Sequence, residues 1–395
     1  MLTKPITSAA GIGVGGKSHP GGWMPPLDGL RGLAILLVML FHYGTALNRS
    51  KLPQHALSIV AELGWTGVDL FFVLSGFLIT GILLDSREAD NYFSSFYFRR
   101  VLRIFPLYYF SLLLVFFLYP IWMPGFEQFS PPPNERIWYF AYAQNWIGLL
   151  VDGGRQRMIG HYWSLGIEEQ FYMVWPWIVY KSTTKRVLQI ATGGAVVSLL
   201  LRFILLAMHV SPEVIYRNTF ARMDALLIGA ACACLLRDPD CATYLRRHAA
   251  WMWIAPLITL EIVREATRPF AYQAPGVQGL GLTAIALSFA ALLVGVVLTI
   301  GTRSMPQRFF CSRVMMTFGK YSYAAYIWHQ LVRVLVFKLE MNTLHASLPA
   351  LVNIPLMIAA TLVFSMASFA FIERPFLMLK RNFKPRFNAL PRVAG

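Results

Sequence analysis

Runs of about twenty apolar residues, separated by short polar and basic stretches, recur along the whole chain. A bilayer's hydrocarbon core takes roughly 20 apolar residues per helix. The pattern therefore predicts spans near 30–46, 63–84, 104–123, 163–180, 187–208, 219–236, 249–264, 279–301, 315–337 and 348–372. The expected fold class is all-α, a polytopic membrane protein with about ten transmembrane helices. The apolar stretch from Ile137 to Val151 is too short to span and reads as re-entrant or interfacial. Residues 1–26 are rich in Gly, Ser and Pro and lack an apolar core, so they read as a disordered cytoplasmic tail rather than a signal peptide. Residues 27–376 then form the transmembrane domain, and 377–395 a basic cytoplasmic tail.

Charge orients these spans. With the N-terminus inside, the inner segments hold about twice as many Lys and Arg residues as the outer ones, as the positive-inside rule requires. An even number of spans places both termini in the cytoplasm. Composition agrees: 56% of residues are hydrophobic, only 14% are charged, and the mean hydropathy is +0.53. In a soluble domain about a quarter of residues are charged. The formal net charge of +16 would suggest nucleic acid in a soluble protein. Here the basic residues lie between apolar runs, where they set topology and meet anionic head groups, so no nucleic-acid partner is expected. The cysteines (Cys232, Cys234, Cys241 and Cys311) form no C-x-x-C pair, and no metal site is expected.

Ionisable side chains at membrane depth are costly and point to function. Arg31 sits at the foot of the first span, and His42 lies eleven residues later. At 1.5 Å per residue they are roughly 16 Å apart and close to three full turns, so both should face one cavity. A lone histidine is often simply satisfied by a neighbouring helix. The other ionisable residues at similar depth tip the reading toward chemistry. Asp69, in the outer half of span two, can orient a histidine as a triad carboxylate does, or serve as a structural hydrogen-bond partner. Glu168 and Glu169 open span four; adjacent residues point apart, so at most one should share the cavity of His42, and Glu168 is the candidate.

Arg100 and Arg103 lie three apart on one helical face at the cytoplasmic surface. Their planar donor forks suit phosphate, although such pairs commonly meet anionic lipid. Glu373 and Arg374 end the last span on the same side, where Glu373 can brace either arginine. Arg222 and Asp224 lie toward the outside, where a local ion pair is the plain alternative. Trp163 and His329, with Arg222 and Asp224, are the candidate acceptor-binding residues. Outer-loop residues Trp138, Tyr139, Tyr142, Asn145 and Trp146 fit sugar stacking or an interfacial aromatic belt equally well. A carboxylate–histidine site on one side thus faces a phosphate-friendly site on the other.

These segments together resemble the acyltransferase-3 family of integral membrane acyltransferases, whose members O-acetylate bacterial surface polysaccharides and some secreted metabolites. The resemblance covers most of residues 27–376. It rests on the Arg31–His42 spacing; Gly67-Val68-Asp69-Leu70-Phe71-Phe72-Val73-Leu74-Ser75-Gly76-Phe77; Arg100–Arg103 with Ile104 and Pro106; Trp163-Ser164-Leu165 with Glu168 and Phe171-Tyr172; Ser322-Tyr323 with His329; and Glu373-Arg374-Pro375. It implies acyl-CoA, usually acetyl-CoA, as donor. It also implies essential roles for Arg31 and His42 and a CoA-side role for Arg100 and Arg103. The expected acceptor is a hydroxyl of a surface or exported glycan or glycolipid, and the expected place the inner (cytoplasmic) membrane of a bacterium. Some relatives carry a C-terminal extracytoplasmic esterase-like domain. This chain stops about twenty residues after its last expected span, so it is expected to complete the transfer itself or pass the acyl group to a partner, such as a polysaccharide assembly protein.

The expected mechanism is direct transfer with His42 as general base, oriented by Asp69 or Glu168, or a covalent acyl-imidazole. It requires a continuous passage from the arginines to His42. The rival is a proton-coupled transporter of a polar or acylated metabolite, since intramembrane His, Asp and Glu also form proton relays. The lack of a visible repeat weighs mildly against it. An inactive scaffold is a third reading.

Overall fold

The computed structural model describes residues 24–44, 55–122, 130–147, 158–268, 270–345 and 348–387. The tail expected at 1–26 therefore lies almost wholly outside the described residues. Among the described residues there are helices, turns and no strand. Ten long helices correspond to the ten apolar segments: α1 (Pro25–Gly44), α2 (Gly67–Asp85), α3 (Tyr92–Leu113), α4 (Trp163–Lys181), α5 (Thr184–Ala207), α6 (Thr219–Leu235), α7 (Ala249–Ala266), α8 (Leu282–Leu298), α9 (Ser322–Leu344) and α10 (Ala350–Ser368).

By length and composition, six helical segments are apolar enough to cross a membrane, over 25–44, 59–85, 92–121, 184–207, 277–298 and 350–383. A seventh arises if α6 is counted with the helix Pro239–Arg247, to which it is joined at a 105° bend. The other three expected spans, α4, α7 and α9, are helical but more polar. In α4 and α9 the polar groups, among them Ser164 and His329, are largely turned into the bundle. In α7 they form an ion-paired cluster at the C-terminal end, with Arg264 bonded to Glu261 at 2.7 Å and to Glu265 at 2.5 Å. The protein is thus an all-α polytopic membrane protein, and the number of its helices that cross rests on these polar ones.

Local sequence explains where expectation and structure part. The span expected at 315–337 is two helices. A first, amphipathic one over Arg313–Lys320 is capped by Ser312, whose hydroxyl accepts from the Met315 amide at 3.3 Å. It lies against α1 and stops at Tyr321, where Lys320 sits over the Tyr321 ring at 4.9 Å. α3 starts twelve residues before the expected span at 104, because Tyr92 and Phe96 are buried and extend the apolar face through the arginines. Of the stretch Ile137 to Val151, the described part is the end of a short helix, Pro133–Phe140, and one 3-10 turn, Gln144–Trp146. The segment expected as a basic tail at 377–395 is partly docked: after a short helix (Arg374–Leu379), residues 380–387 cross the start of α3.

The central contact is α2 on α6. Gly76 and Gly229 let these backbones touch: a Cβ on Gly76 would fall 1.8 Å from the Leu226 carbonyl oxygen, and one on Gly229 2.0 Å from that of Val73. Small residues at such positions are how helices approach closely in lipid. Gly76→Leu is expected to destabilise the fold by at least the about 1–3 kcal/mol typical of overpacking, since here the obstacle is backbone. A thermal unfolding series in detergent, with a lowered midpoint and loss of the monodisperse peak, would show it. An unchanged midpoint would refute the contact.

Candidate active site

Helix α1 carries Arg31 near one end and His42 near the other. Arg31 opens onto a cavity between α1, α2, α3, α4 and α9, with an empty volume of about 820 Å³ including its mouth. Arg31, Arg100, Arg103, Glu168, Glu169 and Tyr172 supply its charged and polar wall. Arg31 is bonded to Asp28 at 3.2 Å. Arg100 lies over the Tyr172 ring at 5.2 Å, and the Tyr172 hydroxyl is hydrogen-bonded to Ser75. Glu168 and Glu169 both lie close enough to Arg100 for their charges to attract. The buried Glu373 stands in the same relation to Arg103.

Three corrections follow. Both glutamates line the cavity. Glu168 therefore sits with the arginines and not with His42. Arg374 is exposed and does not line the cavity. Ser75, quoted only within the motif Gly67–Phe77, is part of the wall.

His42 does not line this cavity. It belongs to a cluster of three histidines that the sequence reading did not assemble. His329 Nε2 is 3.3 Å from His42 Nδ1, and the ring centroids of His161 and His329 are 4.5 Å apart. The tautomers follow from their carbonyl partners, which only accept. His42 donates from Nδ1 to the Val38 carbonyl at 2.9 Å. His329 donates from Nδ1 to the Tyr326 carbonyl at 2.8 Å, and His161 from Nε2 to the same oxygen at 2.9 Å. Neutral His329 thus turns an unprotonated Nε2 toward the Nδ1–H of His42, and neutral His42 keeps its lone pair on Nε2. Tyr43 donates to the His329 carbonyl at 3.0 Å, and Arg333 to that of His42 at 2.9 Å, locking α1 to α9.

Tyr326 stands between the two groups. Its ring lines the cavity, its hydroxyl donates to the His161 carbonyl at 2.8 Å and is 2.6 Å from the Ser164 hydroxyl, and its own carbonyl holds two histidines. The cavity as lined does not reach His42, and Tyr326 is the lining residue that also holds His161 and His329. Chain separation hid the juxtaposition: α9 is nearly 290 residues from α1, and its His329 carried no motif that paired it with His42.

Asp69 does not orient His42. It is bonded to Arg222 at 2.8 Å, and Asp224 is bonded to Arg202 at 2.8 Å, with all of these side chains fully buried. Thr283 donates to Asp224 at 2.7 Å. The local Arg222–Asp224 pair weighed in the sequence is replaced by two crossed pairs between helices. Asp224 takes Arg202 from α5, which the sequence reading passed over, because residues two apart on a helix diverge. Trp163 packs on Phe72 and Tyr216, with centroids 6.1 and 4.9 Å away, and Arg222 lies 4.9 Å over Tyr216. Trp163, Arg222 and Asp224 thus form interior structure, and none of them lines the cavity. Of the outer-loop residues, Tyr142 is stacked on Tyr108 at 4.1 Å, its phenol pKa raised by burial, and Asn145 is bonded to Thr219 at 2.8 Å. Among the described residues no group of three or more His, Cys, Asp or Glu side chains is placed to hold a metal ion.

A family model described as an acyltransferase domain, of the acyltransferase-3 type, matches residues 25–370. The chain belongs to this acyltransferase family. It is 30% identical over 378 residues to the peptidoglycan O-acetyltransferase OatA of Listeria monocytogenes, covering 89% of this chain and 56% of the relative. It is 28% identical over 379 residues to the putative peptidoglycan O-acetyltransferase YrhL of Bacillus subtilis, covering 89% and 55%. It is 27% identical over 393 residues to the O-acetyltransferase OatA of Staphylococcus aureus, covering 96% and 61%. The chain thus spans little more than half the length of these relatives. No solved structure matches it. The matched family segment takes in every residue of the cavity wall and all three histidines.

Proposed function

We propose that this protein is a membrane O-acyltransferase that moves an acetyl or other short acyl group from cytoplasmic acyl-CoA to a hydroxyl of an envelope glycan. The observation that carries the reading is the arrangement about Tyr326: a cavity with Arg31, Arg100 and Arg103 in its wall abuts the residue whose carbonyl holds His161 and His329, and through His329 it meets His42. The names of the relatives support a glycan acceptor, peptidoglycan being the first to try.

In this reading the donor's phosphates lie on the arginines, whose forked donors match phosphate oxygens. The acyl thioester extends toward Tyr326, whose ring swings aside to admit it to the histidines. His42 Nε2 takes the proton of the acceptor hydroxyl, and the oxygen attacks the thioester carbonyl. The C–S bond then breaks, and the imidazolium returns its proton to the departing thiolate. His329, not Asp69 or Glu168, holds His42 in position and accepts from its Nδ1–H. Because His329 is neutral, it steadies the imidazolium less than a carboxylate would.

The test uses the full chain in lipid nanodiscs with acetyl-CoA labelled in the acetyl group and peptidoglycan fragments as acceptor. Label on the glycan, released by mild base as an ester, is the expected result. Movement of substrate across the bilayer without ester formation would overturn the proposal in favour of a transporter.

A further inference from the structure

The cavity beside the arginines runs further than its charged wall. Along α2 its lining passes from Ile79 and Ser75 to Phe72, Phe71 and Val68. Ser75 and Val68 are separated by about 10 Å at helical rise. Tyr172 is bonded to Ser75, and Arg100 lies over the Tyr172 ring, so the charged wall belongs to the Ser75 end. The far end is lined by Val68, Phe71 and Phe72 from α2, Ser164 and Leu165 from α4, and Tyr326 from α9. Its two hydroxyls are already engaged: that of Tyr326 donates to the His161 carbonyl at 2.8 Å and is 2.6 Å from that of Ser164. The far end therefore presents hydrocarbon and no charge.

This apolar wall is held in place from behind. A Cβ on Gly67 would fall 2.5 Å from the Ala34 carbonyl oxygen, so α2 already touches α1 beside Val68 and has no room to retreat. Asp69, the next residue along, is bonded to the buried Arg222 at 2.8 Å. Phe72 is packed edge-on to Trp163 with centroids 6.1 Å apart, and Phe71 edge-on to Tyr326 at 6.2 Å. A recess whose walls cannot shift rejects groups that overfill it, because close-packed side chains absorb added methylenes poorly. In an acyl-CoA the phosphates and the amides of the arm are polar, and only the acyl chain beyond the thioester is apolar. With the phosphates on the arginines and the thioester at Tyr326, the acyl chain is the part left to meet the far end.

The geometry points to the far end of the cavity as the acyl pocket, with Val68 and Phe71 setting the longest acyl chain that the donor can carry. This rests on the acyl-CoA reading above and adds to it the basis of chain-length selection.

The test measures kcat/KM for acetyl-, butyryl- and hexanoyl-CoA with the full chain in lipid nanodiscs and peptidoglycan fragments as acceptor. Phe71→Ala opens the wall and is expected to raise the hexanoyl-to-acetyl ratio at least about tenfold, the lower end of what one methylene is worth in an apolar pocket. Val68→Phe reaches into the recess and should lower the butyryl-to-acetyl ratio by about the same factor. Ratios are compared because a freer Tyr326 ring would change the rate for every donor alike. If neither ratio moves, this inference falls while the donor reading stands. If Phe71→Ala raises all three rates equally, the ring only supports Tyr326 and the inference is overturned. If the parent transfers no acyl group from any of the three donors, both fall. Should Val68→Phe lose its unfolding transition, Val68→Ile, which adds one methylene at the same place, is read instead with the same sign expected.

Discussion

His42→Ala is expected to reduce acyl transfer by about 10³-fold or more while leaving the protein folded in the membrane. A positioned general base contributes about 10²–10⁴-fold, and His42 is the histidine assigned that role. Its Nδ1 is engaged with Val38 at 2.9 Å and approaches His329 Nε2 at 3.3 Å, so the ring has a fixed tautomer and orientation. The substitution removes a half-buried ring from the end of α1, so folding should survive. His329→Gln should cost less, about ten- to a hundredfold, since it removes the orienting acceptor and leaves the base in place. The measurement is ester formation on peptidoglycan fragments in nanodiscs, normalised to protein that elutes as a single species. Activity of His42→Ala within tenfold of the parent would end the general-base assignment.

The second large effect concerns stability. Arg222→Met is expected to destabilise the protein by about 3–5 kcal/mol, the usual cost of removing one partner from a buried ion pair. Arg222 and Asp69 have no solvent exposure, and among the described residues the second carboxylate oxygen of Asp69 has no hydrogen-bond partner. Taking away the guanidinium leaves a buried carboxylate that must stay charged without compensation or take up a proton. The double variant Asp69→Leu/Arg222→Met should regain much of the loss, because burying an ion pair costs about as much as its attraction returns. The unfolding midpoint in detergent decides it. The same variant also tests chemistry: if the double variant folds and transfers acetyl groups, Asp69 is no part of the reaction, whereas a folded but inactive double variant would restore the triad role the sequence suggested.

Much of the molecule was legible in the residue order. Every expected span is helical, that at 315–337 as two helices, because a long apolar run in lipid has no other way to satisfy its backbone. The division into an arginine side and a histidine side was legible too, since Arg31 and His42 share one helix and rise per residue sets their separation. Arg100 and Arg103 reached the cavity together because three residues make nearly a full turn. What failed concerned direction around the helix axis and choice of partner. Glu168 joined the arginines, Arg374 turned outward, and Asp69 found Arg222 in place of His42. The segment 380–387, which read as a loose tail, docked on the start of α3.

Sequence by itself therefore determined the class of fold and the residue types available for chemistry, because the fold class follows from hydrophobic length. Tertiary structure alone decided that His329 and not a carboxylate supports His42, that Tyr326 joins the arginine cavity to the histidines, and that two crossed ion pairs tie the core. Such pairings join residues as many as 287 positions apart. They depend on which helix faces mate, a matter settled by close contacts such as Gly76 on Leu226 that no local pattern encodes.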